Sequence, residues 1–276
     1  MPTPAEKRAT FRRLHESGCF VIPNPWDVGS ALYLQGMGFK ALATTSAGFA
    51  WSRGAGDGRV TRDMALAHIA ELSAAADVPM NADFEGGFAD APADVAESVR
   101  LCVGTGVSGL SIEDYTGDRA NPLYAFDLAV ARIKAARGAI DKTGSDVLLT
   151  GRSEGFIRGK PDLDETIRRL KAFADAGADC LYAPGISTRE QIAAVVKAVA
   201  PKPVNLLMGS PSELTVNDIA ALGVRRISVG GSLARSAWGG FVRAAKQIME
   251  AGNFNAFADA APGAELNKAF TQKKGG

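Results

Sequence analysis

Cysteine and histidine are scarce in this sequence of 276 residues, which has three cysteines (Cys19, Cys102 and Cys180) and two histidines (His15 and His68). The cysteines form no CxxC pair, and an odd number does not favour a disulfide framework, so we interpret all three as buried small apolar residues. Both histidines fall in predicted helices, where a lone histidine is usually a polar surface residue. Any chemistry must therefore depend on carboxylates and arginines.

Long apolar runs and an excess of one charge are also missing. No apolar stretch approaches the roughly 20 residues that a membrane span requires, and the segment Met1–His15 lacks the apolar core of a signal peptide. We therefore expect a cytoplasmic protein without a membrane partner. The 31 basic residues balance 30 acidic ones, which argues against a nucleic-acid partner, because such surfaces need clustered Lys and Arg.

Eight short apolar segments recur along the chain. Each is continuously apolar rather than alternating, as is typical of a strand that is buried on both faces. We predict strands at Cys19–Ile22, Ala41–Thr45, Pro79–Asp83, Gly109–Glu113, Val147–Gly151, Cys180–Ala183, Val204–Leu207 and Arg226–Val229.

Amphipathic segments lie between these strands. We predict helices at Ala5–Ser17, Thr61–Ala76, Ala93–Thr105, Asp127–Thr143, Asp164–Ala176, Thr188–Val199 and Ser232–Ala251. The alternation predicts one α/β domain over residues 1–276, a (β/α)8 TIM barrel with its first helix capping the barrel bottom. A C-terminal helical extension covers about residues 232–272, and residues 273–276 are expected to fray. An open doubly wound sheet is the alternative, but the GxGxxG turn that it would carry is missing.

Polar residues follow most of the predicted strands, at the end where TIM barrels carry their sites. We predict that Asp83, Glu85, Glu113 and Glu154 converge at one mouth, together with Asp114. Clustered carboxylates stay ionised only beside a cation, and an all-oxygen site suits Mg2+, with Mn2+ as a substitute. Each acid taken singly has a simpler interpretation: it caps a helix or pairs with an arginine.

Anion-binding groups accompany these acids. Arg152 offers a planar guanidinium that can bind a carboxylate at two points, or it pairs with a neighbouring acid. The hydroxyl of Ser46 and the backbone amides of Ala47 and Gly48 form a second candidate cradle for anionic oxygens. Two loops, at residues 54–59 and 116–124, are candidate lids or ordinary connections.

Together these residues resemble the isocitrate lyase / phosphoenolpyruvate mutase superfamily. The shared motifs extend from the second to the seventh predicted strand. They are Thr44–Gly48, Asp57 in a glycine-rich loop, Asn81–Phe88, Ser111–Asp114, Gly151–Glu154 and Asn205.

The resemblance implies a metal site and an assembly. Mg2+ would be bound directly by Asp83, while Glu85, Glu113 and Asp57 would hold metal-bound waters. The last barrel helix would be swapped between subunits, giving homodimers and often homotetramers. By itself, Asp57 is an ordinary solvated loop residue.

The resemblance also implies a substrate and a chemistry. Ser46, the Ala47 amide and Arg152 would bind the carboxylate and oxo oxygens of a 2-oxo acid or dicarboxylate, with Asn205 as a further substrate-binding residue. The common chemistry passes through an enolate, and members cleave C–C bonds, rearrange P–C bonds or decarboxylate.

Two departures from the superfamily pattern bear on the reaction. The second acid of the paired aspartates is here the longer Glu85. The Lys-Lys-Cys-Gly-His loop of isocitrate and methylisocitrate lyases is replaced by residues 116–124, which contain no cysteine, lysine or histidine. Asn121 lies near the position of an asparagine in the mutase gating loop, whose lysine is missing. Glu113, Tyr115 or a metal-bound water remain candidates for handling the proton.

The sequence therefore predicts a Mg2+-dependent enzyme that breaks a C–C bond, by cleavage or decarboxylation, in a small 2-oxo acid. Chemistry at a P–C bond is the alternative within the same family. A non-catalytic barrel that binds an oxo acid is an alternative of another class. A third is a phosphate-binding barrel isomerase with its cup at Gly209–Ser212 and Gly230–Ser232.

Overall fold

The computed structural model describes residues 1–271 of the chain, and eight strands form its centre. Every strand lies within two residues of the predicted segment at each end, because continuous burial leaves a clear apolar signature. The strands are β1 (Phe20–Ile22), β2 (Leu42–Ala43), β3 (Met80–Asp83), β4 (Gly109–Glu113), β5 (Leu148–Arg152), β6 (Cys180–Tyr182), β7 (Val204–Leu207) and β8 (Arg226–Ser228).

All ladders in the sheet are parallel, and each strand pairs with its neighbours along the chain, from β2 through β8 and back to β1. The remaining gap, between β1 and β2, is bridged by the N–H of Ala43, which donates to the Pro23 carbonyl at 3.0 Å. Asn24 reinforces this closure: its amide donates to the Thr44 carbonyl and accepts the N–H groups of the two residues after β8, all at 2.9 Å. The predicted TIM barrel is confirmed.

Helices alternate with the strands, and all seven predicted helices are present to within one residue at each end. Three further helices near the barrel, α2, α3 and α9, were not predicted. The helices are α1 (Pro4–Glu16), α2 (Val28–Gly36), α3 (Ser46–Ser52), α4 (Arg62–Ala75), α5 (Pro92–Gly104), α6 (Phe126–Lys142), α7 (Leu163–Asp175), α8 (Arg189–Val199), α9 (Val216–Ala221), α10 (Ser232–Ala251) and α11 (Gly263–Thr271).

Helix α1 closes the bottom of the barrel, as predicted. Its Phe11 is fully buried and packs with Ile22 of β1 and Leu148 of β5. Arg8 fixes the helix to the barrel, donating to the Val107 carbonyl at 2.9 Å just before β4 begins. The open end of the barrel is therefore the one formed by the carboxyl ends of the strands.

The histidines correct one prediction, because neither is a surface residue. His68 is buried on α4 and stacks on Phe49 of α3, with ring centroids 3.8 Å apart. His15 lies at the barrel bottom between the rings of Phe11 and Phe20. Burial lowers the pKa of His68 to about 4 and that of His15 to about 3, so both are neutral near pH 7. Aromatic packing has taken both rings out of water.

The cysteines follow the prediction except at one position. Cys102 and Cys180 are buried, whereas Cys19 is only half-buried at the start of the first strand region. None of them forms a disulfide bond within residues 1–271.

The long helix α10 packs little against the barrel. In α10 only Ala234 is buried, and the helix carries exposed apolar side chains that include Phe241 and Met249. Helix α11 returns to the barrel wall, where the ring of Phe270 lies 6.4 Å from that of Tyr33 on α2. Across residues 1–271 no helix is long and apolar enough to cross a membrane. The predictions for residue 272 and for the frayed segment 273–276 lie outside the described residues.

Candidate metal and anion site at the barrel mouth

Two connected cavities open at the carboxyl ends of the strands. The upper one, the mouth cavity, has a volume of about 580 Å3 and is lined by residues from the loops after β2, β3, β4 and β5. The lower one, the interior cavity, has a volume of about 160 Å3 and extends down the barrel axis. Ser46, Asp57 and Arg152 line both cavities and mark the level at which they meet.

The turn after β3 places Glu85 beside the ends of β3 and β4. Glu85 has a positive φ of 48°, a conformation that costs a non-glycine residue on the order of 1 kcal/mol. Its carbonyl accepts the N–H of Glu113 at 3.0 Å, which ties the turn to β4. From below, the buried Arg132 of α6 donates to the carbonyls of Gly86, Ala89 and Asp90. The turn is therefore held rigidly, with its acid at the mouth.

Arg152, at the end of β5, lies at the centre of the acids. Its Nη1 atom is 3.3 Å from Asp83 Oδ1 and 3.2 Å from Glu113 Oε2, and its Nε donates to Glu154. Glu154 is fully buried and also accepts the Nε of Arg158 at 2.9 Å. The proposed pairing of Glu154 with a neighbouring arginine is confirmed, and Glu154 does not line the mouth cavity.

Asp114 does not belong to the mouth, in contrast to the prediction. Successive strand residues face opposite sides of a sheet, so that Glu113 points inward and Asp114 outward. The Asp114 carboxylate accepts the N–H of Glu154 at 2.8 Å and the Nη1 of Arg169 on α7 at 3.2 Å. It fixes the loop after β5 to the outer helices.

The acids raise one another's pKa. Burial, followed by the charges of Asp83 and Asp57, raises the pKa of Glu85 to about 7. Although Asp57 belongs to an exposed loop, burial of its carboxylate and the charge of Asp83 raise its pKa. Burial and then the charge of Glu154 raise the pKa of Glu113 well above its usual value. Negative charge is therefore in excess on this side of the mouth.

The arginine is held in its charged form by the same acids. Burial alone would lower the pKa of Arg152, but the charges of Glu154 and Glu113 raise it well above the usual value. No group of three or more acidic, histidine or cysteine side chains in residues 1–271 is arranged as a ready-made metal-ligand set. In the structure, Arg152 supplies the positive charge at Asp83 and Glu113.

The predicted anion cradle is only partly available. The N–H and the hydroxyl of Ser46 both donate to Asp83 Oδ2, at 2.9 and 2.8 Å, and Ala47 lines the interior cavity. Gly48 is a correction: its N–H donates to the hydroxyl of Thr45, which caps α3, and a Cβ atom at this position would lie 3.0 Å from the Cβ of Trp26. Gly48 therefore serves packing rather than facing a cavity.

The loop after β4 contributes Tyr115 to the mouth but directs Asn121 elsewhere. The guanidinium of Arg158 lies 3.7 Å from the centre of the Tyr115 ring, and both residues line the mouth cavity. Asn121 donates to Asp118 at 3.2 Å and lines a neighbouring cavity of about 630 Å3 between this loop and α7. A role for Asn121 at the mouth requires the loop to move, and it stays a prediction.

Polar residues that the sequence did not single out line the interior cavity. Tyr182 of β6 lies beneath Arg152, whose guanidinium is 5.0 Å from the ring centre. The predicted substrate residue Asn205 has both ends of its amide engaged, donating to Ser228 at 2.9 Å and accepting from Arg226 at 2.8 Å. The sequence did indicate that Arg226 and Ser228 face the same way: they alternate with apolar residues in β8 and so share one face of the strand.

The segments Gly209–Ser212 and Gly230–Ser232, which were considered as a phosphate cup, contact each other or line the interior cavity. The hydroxyl of Ser232 donates to the carbonyl of Gly209 at 2.8 Å, and Gly230 and Gly231 line the interior cavity.

Comparisons with known proteins agree with this architecture. A crystal structure from Burkholderia cenocepacia, described as a candidate lyase/mutase, superposes with a TM-score of 0.94 at 49% identity and covers 97% of each chain. The structure of an oxaloacetate acetylhydrolase with the product oxalate superposes with a TM-score of 0.86 at 27% identity, covering 97% of this chain and 95% of that one.

A curated oxaloacetate decarboxylase from Paraburkholderia xenovorans is 32% identical over 235 residues, which cover 81% of this chain and 75% of that protein. The family model described as phosphoenolpyruvate phosphomutase matches residues 11–249. The resemblance to the isocitrate lyase / phosphoenolpyruvate mutase superfamily is confirmed, and the chain belongs to the phosphoenolpyruvate phosphomutase family.

Proposed function

We propose that this protein is a Mg2+-dependent lyase that breaks a C–C bond, by cleavage or decarboxylation, in a small 2-oxo acid by way of its enolate. The carrying observation is that Asp57, Glu85 and Glu113 line the mouth cavity, while Asp83 lines the interior cavity directly below and Arg152 contacts both Asp83 and Glu113. The relatives named oxaloacetate decarboxylase and oxaloacetate acetylhydrolase support a substrate of this class.

The residues fit a hard divalent cation. Their ligand atoms are carboxylate oxygens, which Mg2+ prefers, and the excess negative charge is balanced in the structure by Arg152. Asp83 and Glu85 would hold the ion, with Glu113 and Asp57 nearby. Mn2+ would bind to the same oxygens. When bound, the ion would act as a Lewis acid that stabilises negative charge on the substrate oxo oxygen.

Arg152 and Ser46 would bind the substrate. With a cation held at Asp83, Arg152 Nη1 and the N–H and hydroxyl of Ser46, which now contact Asp83, would be free to bind the carboxylate of a 2-oxo acid. Glu154 would keep hold of Arg152 through Nε, so that the guanidinium turns toward the substrate without leaving the site. Tyr115 and Glu113, which line the mouth cavity, are the candidate proton carriers.

The proposed assembly is a homodimer or homotetramer in which α10 packs on a partner subunit. The exposed apolar side chains of α10 support it, because a face of this kind is unfavourable in water. The cytoplasmic location stays a prediction.

The test is a screen of 2-oxo acids with Mg2+, in which release of pyruvate or loss of substrate is followed by NMR. Oxaloacetate, branched malate derivatives and phosphonopyruvate form the panel. We expect turnover of a carbon substrate that EDTA abolishes and Mg2+ or Mn2+ restores, and its loss in Asp83→Asn but not in the control Asp63→Asn, whose side chain is 86% exposed on α4. Turnover of phosphonopyruvate alone would indicate P–C chemistry, and binding without any turnover would indicate a non-catalytic barrel.

A direct metal titration complements the activity screen. Binding of Mn2+, followed by electron paramagnetic resonance, should be weakened in Asp83→Asn and unchanged in Asp63→Asn. Equal Mn2+ affinity in the two variants would contradict the proposed site.

A further inference from the structure

We propose that the interior cavity is a second anion subsite, in which Arg226 binds a carboxylate group below the metal and Arg152 level. The ligand is either the far carboxylate of a dicarboxylate substrate or a separate small carboxylate. The first of these cases rests on the proposed function, whereas the second does not.

Arg226 is a buried cation without an acidic partner. Its side chain belongs to a residue that is only 3% exposed, and no carboxylate in residues 1–271 forms an ion pair with it. A buried charge is strongly unfavourable unless an opposite charge or hydrogen bonds compensate for it. This guanidinium therefore differs from Arg152 and Arg169, which are both paired with acids.

Three uncharged groups hold the Arg226 guanidinium in place. Its Nε donates to Asn205 at 2.8 Å, its Nη2 to the hydroxyl of Thr150 at 3.1 Å, and its Nη1 contacts His15 Nε2 at 3.4 Å. A guanidinium has five N–H donors, so two remain for a ligand. Asn205 acts here as a positioning residue that orients the guanidinium of Arg226.

The space beside Arg226 is polar and open. TIM-barrel interiors are normally filled by large branched side chains, whereas this cavity of about 160 Å3 is lined by Asn24, Asn81 and Ser111 among others. The Oδ1 atom of Asn81 is buried and has no hydrogen-bond partner in the described chain, so it requires a donor such as water. A Cβ atom on Gly109 would lie 2.7 Å from the same Oδ1 and 2.7 Å from Phe11 Cε1, so the glycine leaves room for the Asn81 side chain.

The two arginines lie at different heights of one cavity. Arg152 and Thr150 are two residues apart on β5, a rise of about 6.6 Å, and Thr150 contacts Arg226. A four-carbon diacid is of comparable length, so it can place one carboxylate at Arg152 and the other at Arg226. A monocarboxylate of the same length would leave Arg226 without a counter-charge.

The experiment compares butanoate, succinate and acetate by calorimetry in buffer with saturating Mg2+, and none of these ligands is a 2-oxo acid that the proposed reaction would consume. The first two ligands differ only in the terminal carboxylate. We expect succinate to bind to the wild-type protein at least about tenfold more tightly than butanoate does, since a hydrogen bond to a charged group contributes that order of affinity. Arg226→Gln should lose this preference while keeping its affinity for butanoate.

Two further variants serve as controls for this test. Arg226→Lys retains the charge and should keep part of the preference, including in the case that Arg226→Gln does not fold. Arg225→Gln is the matched control, because Arg225 lies next to Arg226 but donates to the Gly18 carbonyl outside the cavity. It should behave as the wild type does.

The outcomes separate the two ligand sources. Loss of the dicarboxylate preference assigns the subsite to the substrate, whereas Arg226-dependent acetate binding without that preference assigns it to a separate carboxylate. Both binding results are independent of turnover. If no metal-dependent turnover is found, the proposed function is wrong, but carboxylate binding at Arg226 still holds. The subsite is wrong if Arg226→Gln and Arg226→Lys bind all three ligands as the wild type does, or lose them equally.

Discussion

Asp83 Oδ1 and Arg152 Nη1 lie 3.3 Å apart at the level where the two cavities meet. The contact is longer than the 2.7–2.9 Å that is typical of a charge-assisted hydrogen bond. Arg152 has a second anchor, because its Nε is bound to the buried Glu154. We infer that the contact with Asp83 is exchangeable, so that the arginine neutralises the acids when no cation does.

Replacing Arg152 by methionine tests this exchange. The variant should be destabilised by about 3 kcal/mol or more without a metal, because Asp83, Glu113 and Glu154 lose their common counter-charge. Mg2+ should then raise the melting temperature of Arg152→Met more than that of the wild type. Thermal unfolding with EDTA and with saturating Mg2+ measures both effects.

The control for this prediction is Arg168→Met, which removes an arginine from an exposed pair with Glu165 on α7. Its response to Mg2+ should match that of the wild type. The same Mg2+ response in Arg152→Met would show that the arginine and the cation do not share their acids.

Much of the barrel could be predicted because its strands are buried on both sides. β4 and β7 begin and end at the predicted residues. The helix α2 was missed because its run of apolar residues, interrupted by glycine, shows little helical periodicity. The helix α3 was missed because its first turn, which begins at Ser46, resembles a ligand-binding loop, and only the Thr45 cap marks it as a helix.

The positions of the acids at the site could be predicted from the sequence, but the partner that each acid contacts could not. Strand ends place Asp83 and Glu113 at one mouth whatever their partners are. Whether Glu154 faces the cavity or an arginine depends on side-chain directions after the strand, which sequence spacing does not determine. His68 was placed wrongly on the surface, although its spacing from Ala65 and Leu72 matches the buried face of α4.

Glu154 should act as a positioning residue for both arginines. In Glu154→Gln one of the two arginine N–H groups would face an amide N–H instead of a carboxylate oxygen, so Arg152 or Arg158 would lose its alignment. We expect kcat to fall about 10- to 100-fold, in the range found for partners that orient a site. Steady-state kinetics on the substrate identified by the screen measures it.

A purely structural role of Glu154 would give a different pattern. It would lower the melting temperature and the amount of folded enzyme while leaving kcat per active site unchanged. Glu97→Gln, which disturbs an exposed pair with Arg100 on α5, is the matched control and should leave kcat unchanged.

His15 should make stability depend on pH. Burial, and then the positive charges of Arg226, Arg12 and Arg225, lower its pKa from 6.5 to about 3 in the folded protein. Its Nδ1–H donates to the Phe11 carbonyl at 2.8 Å, so Nε2 is left to accept from Arg226 in the neutral ring. The unfolded chain binds a proton below pH 6.5 that the folded chain excludes.

The stability that neutral His15 contributes is therefore complete above pH 6.5 and is lost as the pH falls from there toward 3. At pH 5 the loss is at most about 2 kcal/mol. Urea unfolding at pH 7.5 and pH 5.0 measures it, and His15→Gln should show a correspondingly smaller decrease than the wild type. Equal decreases in the two proteins would mean that His15 is protonated in the folded state.

The exposed face of α10 should be an interface between subunits. The side chain of Phe241 is 62% exposed and that of Met249 is 88% exposed. The ring of Trp238 packs edge-to-face on Phe241, with the ring centroids 5.4 Å apart. These side chains form an apolar surface on a helix that packs little against its own barrel. Burying them on a partner gains free energy in proportion to the apolar area removed from water, whereas a charge in the same place would have to be desolvated.

Light scattering coupled to size exclusion should therefore show a wild-type dimer or tetramer and a smaller species for Phe241→Asp. Arg243→Ala, on the same helix, should keep the wild-type mass; a monomeric wild type at micromolar concentration would contradict the interface.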